Sequence, residues 1–352
     1  MNWTTSSAIS IPSKVLGKML SLVGIGGAGC KVVESFFRKD LLSSLFSILS
    51  KGGGEIRGVA IDTSDALTKL NSIPPRNRVL IGSSRAKGHG AGGDIELGRK
   101  IMLEESELAM NAIRRANIKK PDMFFVIAGM GGGTGTGGLP ILVDRLKVTY
   151  GVPILGVLIL PSKVEGTLYM KNTYQKLAEI IDLLDGTLVL DNTVLADRGE
   201  DLFKTQRTIN EAIFNFLNSI ESHEILRIIK DKTCTIGYIR LRGEHTSIKD
   251  VLDRLLRDHV YMNVEKAERI DLIIHGDMKN VYGQSFAREW VKRRFGAELD
   301  FVFRDEPNSK YLNIGLIITG LEDITKRFSV EEGEQRAPSD LEDLLGDIKP
   351  LF

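Results

Sequence analysis

The chain has 352 residues, of which 42% are hydrophobic and 26% charged, and a formal net charge of +1. That length allows two domains with real cores, and so balanced a charge gives no reason to expect nucleic acid or anionic lipid as the main partner. The two cysteines, Cys30 and Cys234, lie far apart without metal spacing, which argues against a disulfide framework or a zinc site and predicts small buried thiols.

Residues 1–18 mix polar groups with Lys14 and Lys18 and read as a loose extension, not a signal peptide or a membrane span. The expectation is a globular, cytoplasmic protein. Met19 to Val23 is a short apolar strand, followed by Gly24-Ile-Gly-Gly-Ala-Gly29 and a helix predicted from about Cys30 to Ser50. This glycine loop satisfies the G-x-G-x-x-G pattern of dinucleotide-binding folds. The acidic residue closing the next strand, Asp62 in Gly58-Val-Ala-Ile-Asp62, comes later than the roughly twenty residues expected for a ribose-binding carboxylate. Arg85-Ala-Lys-Gly-His-Gly-Ala-Gly-Gly-Asp-Ile-Glu-Leu-Gly98 is a second glycine-rich turn, feeding a helix near Asp94, with His89 read as a solvated loop residue.

The richest loop follows the apolar strand Met123-Phe-Phe-Val-Ile127. It runs through Gly129-Met-Gly-Gly-Gly-Thr-Gly-Thr-Gly-Gly138 into a helix predicted over Leu139 to Tyr150, with Pro140 in its first turn. Bare backbone amides at the positive end of a helix dipole bind phosphate. A Walker lysine is missing, since neither main loop ends in Gly-Lys-Ser/Thr, so the phosphates are expected to rest mainly on backbone amides. Three glycine turns, each between a strand and a helix, converge on one edge of a parallel sheet and can wrap a triphosphate.

The sheet continues with the strand 152–160, the loop Pro161-Ser-Lys-Val-Glu-Gly166, a helix to about Leu184 and the strand Thr187 to Asn192. Glu165 and Asn192 thus sit past the carboxyl ends of strands, as a ribose-hydroxyl acceptor and a base-edge reader, or alternatively as helix or turn caps. A helix starting near Thr208-Ile-Asn-Glu211, a capping-box spacing, buries Ile209, Ile213, Phe216, Leu217 and Ile220 and presents Asn210 near its start. Glu221-Ser-His-Glu224 places two carboxylates on one helical face, a pattern shared by solvated surface and by catalysis. From Thr233 the pattern restarts as a smaller α/β unit: strands at 235–241, 270–275, 299–303 and 312–319, helices at 248–260 and 285–295, and no glycine loop or Ser/His/Asp set. After Phe328 comes an acidic linker, and residues 339–352 form a short amphipathic segment suited either to a partner's groove or to folding back.

Gly131-Gly-Gly-Thr-Gly-Thr-Gly137 resembles the signature loop of the tubulin/FtsZ superfamily. Together with Gly24 to Gly29, Lys87 to Gly98, Glu165-Gly-Thr-Leu-Tyr169 and Leu190-Asp-Asn192, it is most similar to the archaeal CetZ branch over roughly residues 19–328. The resemblance implies an α/β fold with a parallel-sheet GTP-binding domain (19–204), a central helix (205–220) and a smaller α/β GTPase-activating domain (221–328), followed by the linker and tail (329–352). It implies GTP or GDP with Mg²⁺, head-to-tail protofilaments and a role in cell shape or division, with a membrane-anchor or adaptor protein as a partner for the tail. Carried onto this sequence, Gly24, Gly26, Gly27, Ala28, Gly29, Cys30, Lys31 and Asp62 form one side of the phosphate site. Gly131, Gly132, Gly133, Thr134, Gly135, Thr136 and Gly137 form the other side, and Ala91, Gly92 and Gly93 cover the γ-phosphate. Glu165 and Tyr169 meet the ribose side, Asn192 and Asn210 the guanine, while Glu221 and Glu224 enter the next subunit's site as catalytic carboxylates. From Asn210 to Glu221 is about 16 Å as a helix, shorter than the family's central helix and loop. A GTP-binding scaffold that does not hydrolyse is therefore the alternative, and a nicotinamide-dependent dehydrogenase, supported only by the first glycine loop, is the second.

Overall fold

A computed structural model describes residues 19–38, 55–197, 202–219, 222–243, 245–321 and 324. The expectations for residues 1–18, for the helix beyond residue 38, for Glu221 and for the linker and tail lie outside the described residues. In chain order the strands are β1 Met19–Ile25, β2 Glu55–Asp62, β3 Arg78–Leu80, β4 Met123–Gly129, β5 Ile154–Leu160, β6 Thr187–Asp191, β7 Thr233–Arg242, β8 Thr246–Ser247, β9 Arg269–Gly276, β10 Val281–Tyr282, β11 Glu298–Asp305 and β12 Tyr311–Thr319. The helices are α1 Gly26–Ser35, α2 Ser83–Ala86, α3 Ile95–Ala116, α4 Gly133–Tyr150, α5 Thr167–Asp182, α6 Asn192–Ala196, α7 Leu202–Ser219, α8 Ser222–Ile229, α9 Ile248–Arg254 and α10 Gln284–Phe295.

Ten strands form one sheet in the order β11-β9-β12-β7-β6-β5-β4-β1-β2-β3. From β3 to β7 all neighbours run parallel, whereas β12 is antiparallel to both β7 and β9. The near-continuous apolar strands read from the sequence are those of a sheet covered on both faces. Side chains of successive strand residues go to opposite faces. Leu22, Phe125 and Ile127 thus pack with Cys30 and Val33 of α1, Ile213 and Phe216 of α7 and Ile225 of α8. Val23, Phe124 and Val126 pack on the other side with Ile101 of α3, Leu139 and Leu142 of α4 and Leu177 of α5. The smaller half has its own core, in which Val251 and Leu252 of α9 and Ala287 and Val291 of α10 cover Ile270, Leu272, Ile314 and Leu316. Its sheet is continuous with the larger half through the short pairing of Thr187 with Thr233 and Leu188 with Cys234.

Three helix starts differ from the sequence reading. Both α1 and α4 begin inside their glycine runs, at Gly26 and Gly133, so Pro140 is an interior residue of α4, where it removes the bond to the Thr136 carbonyl. Glycine has a low helix propensity, and the reading from propensity placed each start after the run. The third, α7, begins at Leu202, so Thr208 and Glu211 are interior and not a capping box, and Asn210 lies two turns into the helix. The helix expected over 248–260 is α9 continued by one turn of π-helix over Leu255–His259. Among the described residues, no helix is long and apolar enough to cross a membrane.

Candidate functional site

Chain order along the sheet reverses between β1 and β4: β2 and β3 follow on one side, β5 and β6 on the other. In open α/β sheets a crevice forms at such a switch point, outside the carboxyl ends of the strands. Here it measures about 430 Å³. The chain passes from β1 directly into α1 and from β4 into α4, so both helices start at this edge. Their cap residues, Ile25 and Gly132, give no side-chain cap, and neither helix has an acidic residue in its first turn. The first amides of a helix have no partner within it. Gly26, Gly27 and Ala28 of one helix and Gly132, Gly133, Thr134 and Gly135 of the other line the crevice, so the positive ends of two helix dipoles converge there. The two loops touch: a methyl group at Gly26 would lie 3.1 Å from the Gly135 amide nitrogen.

Further lining comes from Ala91, Gly92 and Gly93, from Lys31 and Asp62, from Glu165 and Tyr169, from Asn192, and from Ile209 and Asn210 of α7. The fold thus brings most of the proposed ligand set to one crevice. Gly24, Gly29, Cys30, Gly131, Thr136 and Gly137 belong to the same loops but do not line it. Cys30 donates to the Ile61 carbonyl at 3.4 Å, and burial pushes its thiol pKa well up, with the Asp62 charge adding to the rise. Thr136 accepts from the Gly131 amide at 2.7 Å and so shapes the loop from behind. Of the two proposed catalytic carboxylates, Glu221 is outside the described residues and Glu224, on α8, does not line the crevice.

Asp62 ends β2 and is buried beside the two helix starts, with its Oδ1 accepting from the Thr63 amide at 2.7 Å. Burial raises its pKa, and hydrogen bonds from the Thr63 and Ser64 amides and the Thr134 hydroxyl oppose that rise. The hydroxyls of Thr63 and Thr134 are 2.6 Å apart and tie the β2 end to the signature loop. At the other end Glu165 Oε1 accepts from both the Ser162 amide, at 2.8 Å, and Asn192 Nδ2, at 2.9 Å. The ligand and cap readings of Glu165 are therefore compatible: one carboxylate oxygen caps its own turn and holds Asn192. Because a carboxylate can only accept, Asn192 must turn its amide nitrogen to Glu165, which fixes Oδ1 as the free acceptor. Asn192 Oδ1 is buried with no hydrogen-bond partner among the described residues. It matches the donor edge of guanine, N1–H and N2–H₂, and opposes the lone pair at adenine N1.

Sequence reasoning missed Asn172. Buried on α5, it donates through Nδ2 to the Gly93 carbonyl at 2.7 Å and the Gly131 carbonyl at 2.8 Å, locking the Ala91–Gly93 turn to the signature loop. An uncharged residue inside a polar stretch of helix carries no motif, and only its burial reveals the role. His89, read as a solvated loop residue, is exposed but lies on the crevice rim, where its backbone bridges to Ser64.

The family model "Tubulin/FtsZ family, GTPase domain" matches residues 20–199. Tubulin-like protein CetZ1 of Haloferax volcanii is 38% identical over 198 residues, covering 56% of this chain and 48% of CetZ1, so the chain spans about half the length of the Haloferax relatives it matches. Tubulin-like protein CetZ of Pyrococcus furiosus is 26% identical over 329 residues, covering 85% of this chain and 84% of the relative. Among solved structures, the GDP-bound CetZ1 monomer superposes with a TM-score of 0.74 at 30% identity, covering 88% of this chain and 96% of that one. A GTPγS-bound protofilament of CetZ2 from the same organism gives 0.73 at 26% identity over the same shares. The chain therefore belongs to the Tubulin/FtsZ family, whose GTPase-domain model it matches over residues 20–199.

Proposed function

We propose that the protein binds GTP and GDP in the crevice, assembles head to tail with copies of itself, and hydrolyses GTP where one subunit meets the next, as a cytoplasmic filament acting in cell shape or division. The observation that carries the nucleotide reading is the meeting of two uncapped helix starts at one end of a crevice whose other end holds an unsatisfied Asn192 Oδ1. Assembly is supported by similarity to a chain solved as a protofilament with a GTP analogue bound. In this reading residues 19–204 hold the nucleotide and 221–328 offer the surface that meets a neighbour's nucleotide.

The residues present fit a triphosphate. Backbone amides from Gly26 to Ala28 and Gly133 to Gly135 would hold the phosphate oxygens, with Glu165 at the ribose and Asn192 and Asn210 at the guanine. Mg²⁺ usually keeps several waters and binds through substrate phosphates with one or two carboxylates, so it needs no protein cage. Asp62 is the carboxylate that the phosphate side offers it, and the ion would offset the charge of the phosphates beside this buried acid. The dinucleotide alternative rests on the first glycine loop alone, whereas both main loops share this crevice.

The test is ligand-induced stabilisation, since a ligand that binds only the native state raises stability by mass action. GTP and GDP are expected to raise the melting temperature, and ATP and NAD to leave it unchanged. Asn192→Ala is expected to weaken GTP by about tenfold or more, the scale of one buried hydrogen-bonding group. Equal stabilisation by ATP and GTP in the wild-type chain would contradict the base assignment.

A further inference from the structure

We propose that Asn172 is the positioning residue by which the protein tells a nucleoside triphosphate from a diphosphate: its side-chain amide holds the turn of Ala91, Gly92 and Gly93 within reach of the last phosphate. The inference rests on the nucleotide reading above and adds to it the residue on which that preference depends.

The turn is built to present donors. The Asp94 amide donates to the Ala91 carbonyl at 2.8 Å and closes four residues whose two central members, Gly92 and Gly93, have φ of +55° and +82°. Two successive positive φ values belong to a primed turn, which glycine enters without the penalty that a Cβ would bring. Among the described residues, the amides of Ala91, Gly92 and Gly93 donate to no protein acceptor, although Ala91 and Gly93 are buried. Successive free amides in a turn of this kind form a concavity suited to an anion. The turn lines the same crevice as the start of α4 and touches it: a methyl group at Gly133 would lie 2.8 Å from the Ala91 Cβ and 2.4 Å from the Asp94 carbonyl oxygen. A phosphate chain that begins from a base at Asn192 and passes the starts of α1 and α4 would end here.

One side chain ties this turn across to the signature loop. Before the turn, the Asp65 amide donates to the Gly88 carbonyl at 2.8 Å, and after it Asp94 Oδ1 accepts from the Leu97 amide at 2.9 Å, so these two bonds hold only its flanks. Among the described residues, the one hydrogen bond from another element to residues 91–93 is that of Asn172 Nδ2 to the Gly93 carbonyl, and the second hydrogen of the same amide goes to the Gly131 carbonyl. Both partners are carbonyl oxygens, which fixes the orientation of the amide. Its base is firm, because α5 is pressed against both loops: a methyl group at Gly93 would lie 3.0 Å from Leu168 Cδ2, and one at Gly131 would lie 2.5 Å from the Tyr169 carbonyl oxygen. Without Asn172 the signature loop keeps a tie of its own, the Thr136 hydroxyl that accepts from the Gly131 amide. The loss therefore falls on the turn. A ligand that needs the turn in place binds in proportion to the fraction of molecules that hold it there. A diphosphate ends one phosphate short of the turn and is indifferent to that fraction.

The test is titration of the full chain with GDP and with GTPγS in the presence of Mg²⁺, at protein concentrations too low for polymer, together with the melting temperature without ligand. Asn172→Leu is near in volume and has no donor, and Asn172→Asp aims a carboxylate at two carbonyl oxygens. The leucine variant is expected to lose about tenfold in GTPγS affinity and the aspartate variant more, with GDP affinity held within about twofold, so that the ratio of the two affinities falls with the first. Asn172→Ser, too short to span both carbonyls, reads the same fall in the ratio without placing an apolar group between them, so the test stands if the leucine variant does not fold. An equal loss for both ligands, which a merely structural role would give, or an unchanged ratio in a folded variant overturns the positioning role and leaves the nucleotide reading intact. A wild-type chain that binds neither ligand overturns both.

Discussion

Gly132→Asp is expected to abolish GTP binding while leaving the fold as stable as before or more so. Gly132 is the cap residue of α4, with φ −74° and ψ 146°, an extended conformation open to any residue. A side chain there meets nothing within 4 Å. Aspartate is among the best capping residues, and its carboxylate accepts from the second or third amide of the helix it precedes. Those amides, Thr134 and Gly135, are the ones assigned to the phosphates. The substitution would therefore fill the anion site with the protein's own anion and place a negative charge against the triphosphate. Loss of affinity by at least about 100-fold follows from losing amide contacts and adding repulsion, each worth above 1 kcal/mol. Titration calorimetry and thermal melting on the same sample check both halves. Wild-type affinity in a folded variant would remove the α4 start from the site.

Gly29→Ala is expected to have the reverse profile, a large loss of stability at a position that does not line the crevice. A methyl group at Gly29 would lie 2.0 Å from the Ile127 carbonyl oxygen, a backbone atom of the central strand β4. Neither side can yield without moving α1 or the sheet, since Ile127 pairs with Gly24 on β1 and with Val157 on β5. Overpacking of this kind costs about 1–3 kcal/mol and more where backbone must shift, so the estimate is about 3 kcal/mol or above. Gly137, whose methyl would lie 2.1 Å from the Ile95 carbonyl oxygen, is a second such position, between α4 and α3. Urea unfolding measures the effect. Destabilisation below about 1 kcal/mol would mean that α1 can lift from β4, and the close fit at the switch point would not be a constraint.

These two glycines mark the limit of what the sequence discloses. In Gly24 to Gly29 and Gly131 to Gly137 the letters alone identify a phosphate loop, because a glycine run between a buried strand and an amphipathic helix has few other uses. They do not say which glycines line the crevice. Gly26, Gly27 and Gly132 to Gly135 do, whereas Gly24, Gly29 and Gly137 let helices approach strands and other helices. That difference depends on direction in space, which a repeated residue type does not encode. Strands such as β4, β5 and β6 were legible as apolar runs, whereas the short β3, β8 and β10 carry no such run, and the convergence of the loops on one sheet edge followed from their alternation with helices. Helix starts were misplaced at Gly26, Gly133 and Leu202, since local propensity argues against helix in a glycine run and the Thr208-x-x-Glu211 spacing is a fuller capping pattern than the lone Asp201 that precedes α7 in the sequence. Asn172 was silent because it acts through partners at least forty-one positions away, Gly93 and Gly131.

The central claim, a GTP site completed by a second copy, is tested most directly by GTP turnover per subunit measured across a wide range of protein concentration. The account predicts a rate per subunit that is negligible when the protein is dilute, climbs through the concentration at which polymer forms, and stays near zero throughout for Glu221→Ala. A rate per subunit that is independent of concentration, or one that survives in Glu221→Ala, would contradict it.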